Sequence, residues 1–461
     1  MLQCLRLILF FALPAVFALP LAGQTEVDQS EAAEYRVYTE HPRLLLRPQR
    51  LRLLKRERER QSMRWRQFDA LISGDAAMPE PGFALALYYA VSGNAAIGKK
   101  AVSWALGPGA DIRQIALVYD WCLDVLSEEQ NKALTAKLMK ALKAPEESKR
   151  SLAQQRDRAF AAIVIAEQNQ DLAETVLRTL TESWWRRSLS PKLNAGANLD
   201  PGGEVQSLFE LLHAIRDNLT IDLRSDSPAY FKALPSYQVI CNYPAPYPTP
   251  ENEFRIPIFS GNGEPDLRRA ALSRAAGLSI VAYDNNALES QFLQGWLIQD
   301  RFILKGVFGA PYEFLWANPY QPGLSYAHLP LILHDERSGA LFIRSSWDED
   351  AVWFALADGE AQLFRDGQIV VLSQKGPLAA KPEPIPIGTS SIVAFRPGFR
   401  CTAQGSAMFI IGAKPRTKYD VEVDDEELTE LETDAAGTLE LRFAAGNAPG
   451  VRVKESSYGS Q

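Results

Sequence analysis

The sequence predicts a large helical domain followed by a smaller domain of β-strands. Apolar residues recur at helical spacing between about Gly82 and Gln299, and after about Tyr320 apolar and polar residues alternate as they do in strands. Short strands separated by turn residues are typical of a β-sandwich. The length of 461 residues favours two or three domains.

Residues 1–23 predict a secretory signal peptide. Arg6 precedes an apolar run that contains Pro14 and Pro20 and ends in the small residues Ala22 and Gly23. A membrane anchor is the alternative, because the run is nearly long enough to span a bilayer. We expect cleavage near Ala22 or Gly23, followed by export to the periplasm or secretion, with no membrane association after cleavage.

The helical part begins at Pro48, a residue type favoured at the first position of a helix. This first helix runs to about Gln61 and is rich in arginine. Glu57 and Glu59 interleave with its basic residues, which is typical of a solvated helix face, and a polyanion-binding face is the alternative. Further helices are predicted through residues 82–187 and at about 204–219, 264–283 and 287–299.

A proline-rich segment interrupts the helical pattern. Prolines at alternate positions from Pro244 to Pro250 remove backbone donors and clash with a preceding helical turn. The segment is therefore predicted to be a rigid extended loop, and long loops inside compact domains are often functional.

Turn residues and alternating patterns mark the strands. Asp366-Gly367 separates two apolar runs and predicts a two-residue hairpin turn. The acidic run at 424–434 is expected to be a solvated turn or edge. The predicted strands are 340–347, 351–357, 362–365, 368–371, 391–395, 407–411, 419–423 and 438–443.

Charge and motif content exclude several classes of function. The chain has 49 Lys and Arg against 56 Asp and Glu, a net charge of −7, which argues against bulk nucleic-acid binding but allows an anionic substrate in a local basic cleft. Cys122, Cys241 and Cys401 are far apart in the sequence, so we expect no metal site. The sequence allows one disulfide between two of them but does not assign the pair. No nucleotide-binding motif appears, and no cofactor is expected.

Several strings resemble the heparinase II/III-like polysaccharide lyases. They are His-Pro-Arg-Leu-Leu-Leu at 41–46, Ala-Leu-Tyr-Tyr at 86–89, Tyr-Asp-Trp-Cys at 119–122, Gly-Ala-Leu-Phe-Ile-Arg-Ser-Ser-Trp-Asp at 339–348 and Phe-Arg-Asp-Gly-Gln-Ile at 364–369. The resemblance implies an incomplete (α/α) toroid over residues 24–320. It implies a C-terminal antiparallel β-sandwich over residues 321–461, shortened relative to many members.

The resemblance also implies an exported lyase that cleaves uronic-acid polysaccharides by β-elimination. This chemistry requires donors that neutralise the sugar carboxylate, a base for the C5 proton, and an acid for the departing oxygen at C4. The family's His-rich segment between the first sandwich strands has no counterpart, because residues 353–364 contain no His. A catalytically inactive glycan-binding protein of the same fold is therefore the alternative. An α/α-toroid glycoside hydrolase ranks last, because Glu204 has no evident carboxylate partner in the sequence.

The resemblance implies a polar loop and helix start where Asn198, Glu204 and His213 occur. His213 is therefore a candidate catalytic residue. Asn198 and Glu204 are candidates for substrate binding. Each has a structural alternative. His213 could be a packed and hydrogen-bonded histidine. Asn198 could form a loop turn, and Glu204 could be a first-turn carboxylate favoured by the helix dipole.

The proline-rich loop supplies further candidates. Tyr243 and Tyr247 are candidate catalytic residues, with an apolar plug or an aromatic platform for a sugar as the alternative. Arg255 is a candidate for binding the substrate carboxylate through its planar guanidinium, or for a structural ion pair with Glu251 or Glu253.

Two candidates precede the first sandwich strand. Tyr326 and His328 are expected near the domain junction, where they would either bind substrate or pack in the interface.

Overall fold

The structure is a computed structural model, and it describes residues 35–143, 150–248, 253–260, 263–299, 304–372, 383–396, 398–425, 427–444 and 446–456. The predicted signal peptide, residues 1–23, lies outside the described residues. None of the helices in these ranges is both long and apolar enough to cross a bilayer.

The helices of the described residues occupy most of the chain before Trp316. They are α1 (Pro48–Glu59), α2 (Met63–Ser73), α3 (Pro81–Ser92), α4 (Ala95–Leu106), α5 (Ile112–Trp121), α6 (Glu128–Lys143), α7 (Leu152–Val164), α8 (Gln170–Arg178), a π-helix (Thr179–Leu189), α9 (Ser190–Asn194), α10 (Gly203–Leu219), α11 (Pro228–Ile240), α12 (Leu267–Tyr283), α13 (Leu288–Gln299) and α14 (Gly306–Trp316).

Apart from one small hairpin, the strands follow the helices. They are β1 (Tyr247–Pro248), β2 (Glu253–Phe254), β3 (Ile332–Asp335), β4 (Ala340–Arg344), β5 (Trp353–Ala357), β6 (Glu360–Arg365), β7 (Gln368–Leu372), β8 (Ile385–Ile387), β9 (Ser390–Ala394), β10 (Phe399–Thr402), β11 (Ala407–Ile411), β12 (Lys418–Val423), β13 (Glu427–Glu432), β14 (Leu439–Arg442) and β15 (Gly450–Glu455). The change from helix to strand falls between Trp316 and Ile332.

Local sequence signals explain where several helices begin. The side chain of Asp111 accepts a hydrogen bond from the backbone amide of Gln114 at the start of α5. Ser127 and Gln130 form a reciprocal capping box at α6, because each side chain bonds the other's backbone amide. Pro48 occupies the first position of α1, as the sequence predicts.

The strands of the described residues form three larger sheets. The first sheet has the order β3-β4-β5-β6-β7, the middle sheet β14-β11-β9-β8, and the outer sheet β10-β15-β12-β13. One pair, β9 with β11, is parallel, so the expectation of a wholly antiparallel domain is wrong at this pair. The acidic run expected to be a turn or edge forms β13 at the edge of the outer sheet, preceded by a turn at Asp424 and Asp425.

The three sheets pack face to face through two hydrophobic cores, and the predicted β-sandwich stays a prediction. Leu341, Phe354 and Phe409 belong to a core between the first and middle sheets. Met408 and Tyr419 belong to a second core between the middle and outer sheets. Because successive side chains of a strand point to opposite faces, β11 contributes to both cores and the middle sheet is covered on both sides.

The first sheet packs its remaining face against the helices. The ring of Phe342 meets Tyr237 of α11 edge-on at 5.5 Å. The indole Nε1 of Trp353 donates a 2.9 Å hydrogen bond to the backbone carbonyl of Ile240 at the end of α11. The helical and β parts therefore share an interface at α11, while closure of the helices into a toroid stays a prediction.

The three cysteines outside the signal segment are free thiols. Cys122 and Cys241 are buried and Cys401 is half-buried. The described residues therefore hold no disulfide among them.

Candidate functional site

A cleft of about 670 Å³ lies where the helical part meets the first sheet. We call it the junction cleft. Its helical wall comes from the N-terminal ends of α10 and α12 and from the loop before α10, and its sheet wall comes from the turn between β5 and β6. Glu204, Arg269 and Asp358 line it from α10, α12 and this turn respectively.

Ion pairing and close packing hold the loop before α10 against α12. Arg269 forms an ion pair with Asp200 and donates a 2.6 Å hydrogen bond to the backbone carbonyl of Ile258. Glu204 accepts a 2.9 Å hydrogen bond from the backbone amide of Asp200. Gly202 leaves no room for a side chain, because a Cβ there would lie 2.8 Å from the carbonyl oxygen of Arg269. These contacts fix the helical wall of the cleft.

Asn198 and Tyr237 line both the junction cleft and an adjoining cavity of about 220 Å³. Asn198 is exposed, and its amide makes no hydrogen bond to another residue within the described ranges. Tyr237 projects from α11 and is half-buried. An amide and a phenol from separate elements thus border both cavities.

The phenol of Tyr237 is held in its protonated form. Burial raises the pKa of Tyr237 well above its ordinary value of 10.0, and the neighbouring Cys241 and Asp358 raise it further, while Arg269 opposes the shift. At neutral pH this hydroxyl can donate a hydrogen bond or a proton, but it is a poor base.

Among the described residues that line the adjoining cavity, His334 and Arg337 have basic side chains. The ring nitrogens of His334 bond Glu440 at 2.8 Å and Asp434 at 3.0 Å. Burial lowers the pKa of His334, but these two carboxylates outweigh burial and raise it above 6.5. Arg337 donates to Asp335 at 2.8 Å and remains partly exposed, so it is the cation of this cavity that a ligand could reach.

The junction cleft itself is acidic. Among the described residues that line it, the carboxylates are those of Asp200, Glu204, Asp358 and Glu360, and the guanidinium is that of Arg269. Within the described ranges, no group of three or more His, Cys, Asp or Glu side chains is placed to hold a metal ion.

His213 does not lie in the junction cleft. It lines a different cavity, is buried, and packs between the rings of Tyr283 and Trp316 at 4.9 and 4.7 Å. Its Nε2 is 3.1 Å from the backbone carbonyl of Ser279, and its Nδ1 is 3.3 Å from the guanidinium of Arg216. Burial lowers the pKa of His213 well below 6.5. His213 therefore lines a different cavity from Asn198 and Glu204, and its catalytic role stays a prediction.

Tyr243 lies behind the wall of the cleft. It is 4% exposed, packs against Trp353, and donates a 2.6 Å hydrogen bond to the side-chain oxygen of Gln362. Gln362 lines the cleft and is itself completely buried. Tyr243 therefore supports the cleft wall from behind through Gln362, and its catalytic role stays a prediction.

Tyr247 and Arg255 are engaged with neighbouring residues. The exposed hydroxyl of Tyr247 donates a 2.6 Å hydrogen bond to Glu264. Arg255 donates to the backbone carbonyl of Pro244 at 2.7 Å and forms a 3.0 Å ion pair with Glu349. Neither residue lines the junction cleft.

Tyr326 and His328 lie together in a short 3₁₀ turn. The ring of Tyr326 packs edge-on against Trp347 at 5.6 Å, which agrees with the packing alternative. His328 is exposed. Neither residue lines the junction cleft.

The sequence did not predict Tyr237, Arg337 or Asp358 as residues of the site. Tyr237 is in α11, which contains Pro235. Because proline disfavours a helix interior, residue propensities did not predict this helix. Asp358 starts the Asp-Gly turn between β5 and β6, with φ of 50° and 78° at its two residues, and this dipeptide is itself a hairpin signal. Arg337 has no sequence pattern that links it to Asn198.

No protein-family model matches the chain, and no curated protein matches it. Solved structures with similar chains include heparan sulfate lyase HepC from Pedobacter heparinus, at 11% sequence identity and a TM-score of 0.35, covering 82% of this chain and 75% of that one. A mutant of HepC matches at 10% identity and a TM-score of 0.36, covering 81% and 75%. A glycoside hydrolase matches at 7% identity and a TM-score of 0.30, covering 82% and 71%. Likeness at these scores supports no functional assignment by itself.

Proposed function

We propose that the protein binds a polysaccharide chain in the junction cleft, and that Asn198 and Tyr237 contact the sugar there. The observation that carries this proposal is that the two side chains line the same two adjoining cavities at the contact between the helices and the first sheet. An exposed amide beside a tyrosine offers both hydrogen bonds to sugar hydroxyls and an aromatic surface.

The chemistry that the sequence resemblance implies is β-elimination on a uronic-acid polysaccharide. Arg337 and Asn198 would neutralise the sugar carboxylate, and protonated Tyr237 would donate its proton to the departing oxygen at C4. The residues that line the junction cleft include no His within the described ranges, so a carboxylate such as Asp358 would have to accept the C5 proton. This scheme places the sugar carboxylate on the side of Arg337, away from the acidic wall.

Glycoside hydrolysis is a second candidate, and the acidic lining favours it. Hydrolysis requires two carboxyl groups on either side of the scissile bond. The sequence offered Glu204 no partner, whereas the fold brings Asp358 and Glu360 of the first sheet to the cleft that Glu204 lines. Binding without cleavage is the remaining alternative.

One assay separates the three outcomes. The purified protein is incubated with a panel of uronic-acid and neutral polysaccharides. Ultraviolet absorbance from a new C4–C5 double bond, reducing ends and retardation in affinity electrophoresis are then recorded. β-Elimination gives both absorbance and reducing ends, hydrolysis gives reducing ends alone, and binding without cleavage gives only retardation. A panel with no signal in any readout overturns the proposal.

Matched tyrosine variants test the assignment of the site. Tyr237→Phe keeps the ring against Phe342 but removes the hydroxyl, and Asn198→Ala removes the exposed amide. Both are expected to weaken the signal, by about tenfold or more if the lost group acts in catalysis. Tyr247→Phe, which removes an exposed hydroxyl outside the cleft lining, is the control and should behave like wild type. Loss in Tyr247→Phe with an unchanged Tyr237→Phe would contradict the assignment.

We also propose that the chain is exported, on the strength of the signal-like residues 1–23. N-terminal sequencing of the protein recovered from the periplasm or the medium should find a start near Ala22 or Gly23. An uncleaved N-terminus in a membrane fraction would support the anchor instead.

A further inference from the structure

A second cavity, of about 400 Å³, lies between α1, α10, α12 and the segment after α14. We call it the arginine cavity, since Arg47, Arg50, Arg52, Arg56 and Arg216 line it. α10 runs from the junction cleft, where Glu204 lies, to this cavity, where Arg216 lies. At 1.5 Å per residue the two side chains are separated by about 18 Å along the helix axis.

One face of α1 is turned toward the cavity. Gln49, Arg52, Leu53 and Arg56 follow the spacing i, i+3, i+4, i+7, and all four line it. Glu57 is buried and absent from this lining. Glu59, the other acidic residue that interleaves with the arginines in the sequence, does not line the cavity either.

Two of the arginines are anchored by the protein. Arg50 donates to the backbone carbonyls of Leu315 and Trp316 at 3.3 and 3.1 Å, and its guanidinium lies 5.6 Å from the Trp316 ring. Arg216 donates to the backbone carbonyl of Tyr283 at 2.6 Å and lies 3.7 Å from that ring. Hydrogen bonds to carbonyls and contacts with aromatic rings orient a guanidinium group, but they do not neutralise its positive charge.

The positive charge of the cavity is not balanced by the described residues. Asp217 is the carboxylate among the described lining residues, and it pairs with Arg216 at 3.3 Å. No ion pair joins Arg47, Arg52 or Arg56 to a carboxylate within the described ranges. Burial lowers the pKa of Arg50 to about 10, and the carboxylate of Asp217 opposes this shift without cancelling it.

We propose that the arginine cavity is a second ligand site, for a small molecule that carries at least two anionic groups such as phosphates or sulfates. A planar guanidinium group can donate two parallel hydrogen bonds to two oxygens of one such anionic group. The side chains of Gln49 and Asn285 also line the cavity and can bond neutral hydroxyls of the same ligand. A volume of about 400 Å³ suits a compact ligand rather than a long chain.

Titration calorimetry with defined probes tests the proposal. Inorganic tripolyphosphate and sucrose octasulfate represent the phosphate and sulfate sources, and tripolyphosphate is titrated at low and at high salt. The tighter probe identifies the source. Arg52→Gln and Arg56→Gln remove exposed side chains that line the cavity, and each is expected to weaken binding about tenfold. Lys55→Gln is the matched control, since it removes one charge from an exposed residue of α1 outside the lining.

Three results would overturn the proposal. They are the absence of binding by both probes, wild-type affinity in both arginine variants, and an equal loss in Lys55→Gln, which would indicate diffuse attraction to a basic helix. Tyr237→Phe is measured in the same series and should bind the probes like wild type. The site can therefore be tested even if the junction cleft binds no polysaccharide. Unchanged thermal unfolding of the variants excludes misfolding.

Discussion

Glu204 and His213 stand nine residues apart on α10, and they line cavities at opposite ends of this helix. The rise of an α-helix places them about 13 Å apart along the axis. A sugar bound beside Glu204 therefore does not meet the imidazole of His213, whose two nitrogens already have hydrogen-bonding partners.

His213→Ala should consequently lower stability without changing the junction cleft. Removing a ring packed between Tyr283 and Trp316 leaves a cavity, and we expect a loss of about 3 kcal/mol in the free energy of unfolding. Urea denaturation measures this loss, and affinity electrophoresis measures glycan binding. A folded variant that no longer binds or cleaves the glycan would place His213 in the active machinery after all.

His334 and His213 should give pH dependences of opposite sign. The raised pKa of His334, between Asp434 and Glu440, means that the folded state holds its proton more tightly than the unfolded chain. This contribution is fully present below about pH 6.5 and is lost as the pH rises through the folded-state pKa. The lowered pKa of His213 has the reverse effect, because protonation of the unfolded chain removes stability as the pH falls below about 6.5.

Thermal unfolding at several pH values checks these signs. The difference in Tm between wild type and His334→Gln should be larger at about pH 5.5 than at about pH 9. The difference between wild type and His213→Ala should be larger at the higher pH. A difference that does not vary with pH in His334→Gln would mean that folding leaves the pKa of this ring unchanged, and a difference that grows with pH would mean that the ring stays neutral in the folded protein.

Elements with a strong local signal could be predicted from the sequence. Asp366-Gly367 forms the turn between β6 and β7 with both residues at positive φ, and Ser127 caps α6 together with Gln130. Both features depend on a few adjacent residues. Helices with internal prolines were missed, as in α11 with Pro235, because tertiary packing there overrides the local penalty.

The candidate site could be predicted only in part. Asn198 and Glu204 were found because they lie in one polar loop and the following helix turn. Tyr237 and Asp358 join them through the packing of α11 against the first sheet, a contact between residues far apart in the chain. On α1, Arg52 lines the arginine cavity whereas Glu57 is buried elsewhere. The alternation of charges in the sequence does not predict this separation, because it depends on how α1 packs against the other helices.

A buried ion-pair network should make Glu210 a strong determinant of stability. Glu210 is fully buried on α10 and accepts hydrogen bonds from Arg113 at 2.6 and 2.9 Å and from Arg156 at 2.8 Å. Glu210→Gln keeps the shape but removes the fully buried carboxylate that Arg113 and Arg156 share, so that Arg113 keeps only the 3.4 Å pair with Glu80 and Arg156 only the 2.8 Å pair with Asp157. We expect a loss of about 4 kcal/mol in the free energy of unfolding, measured by urea denaturation.

An exposed ion pair provides the control for Glu210. Glu128 pairs with Lys132 at 2.5 Å, and both side chains are exposed, so Glu128→Gln should cost less than about 1 kcal/mol. Similar losses in the two variants would show that the arginines near Glu210 are solvated in the folded protein.

Gly295 permits a close contact between α13 and the segment that follows α14. A Cβ at Gly295 would lie 1.6 Å from the backbone oxygen of Leu324, whose amide donates a 2.9 Å hydrogen bond to the carbonyl of Gln291. The side-chain amide of Gln294, in the same helix, donates a 3.1 Å hydrogen bond to the backbone carbonyl of Gln321. Gln294 and Gln321 both line the arginine cavity. The contact at Gly295 therefore supports one wall of that cavity.

Gly295→Ala is expected to displace this segment, because backbone atoms cannot move aside as the end of a side chain can. The free energy of unfolding should fall by about 3 kcal/mol, and tripolyphosphate binding should weaken. Gly277→Ala in α12 is the matched control. A Cβ there would meet Leu297 at an ordinary 3.4 Å, and alanine favours a helix over glycine by about 1 kcal/mol. If the two variants unfold at the same urea concentration, the segment after α14 does not lie against α13 as described.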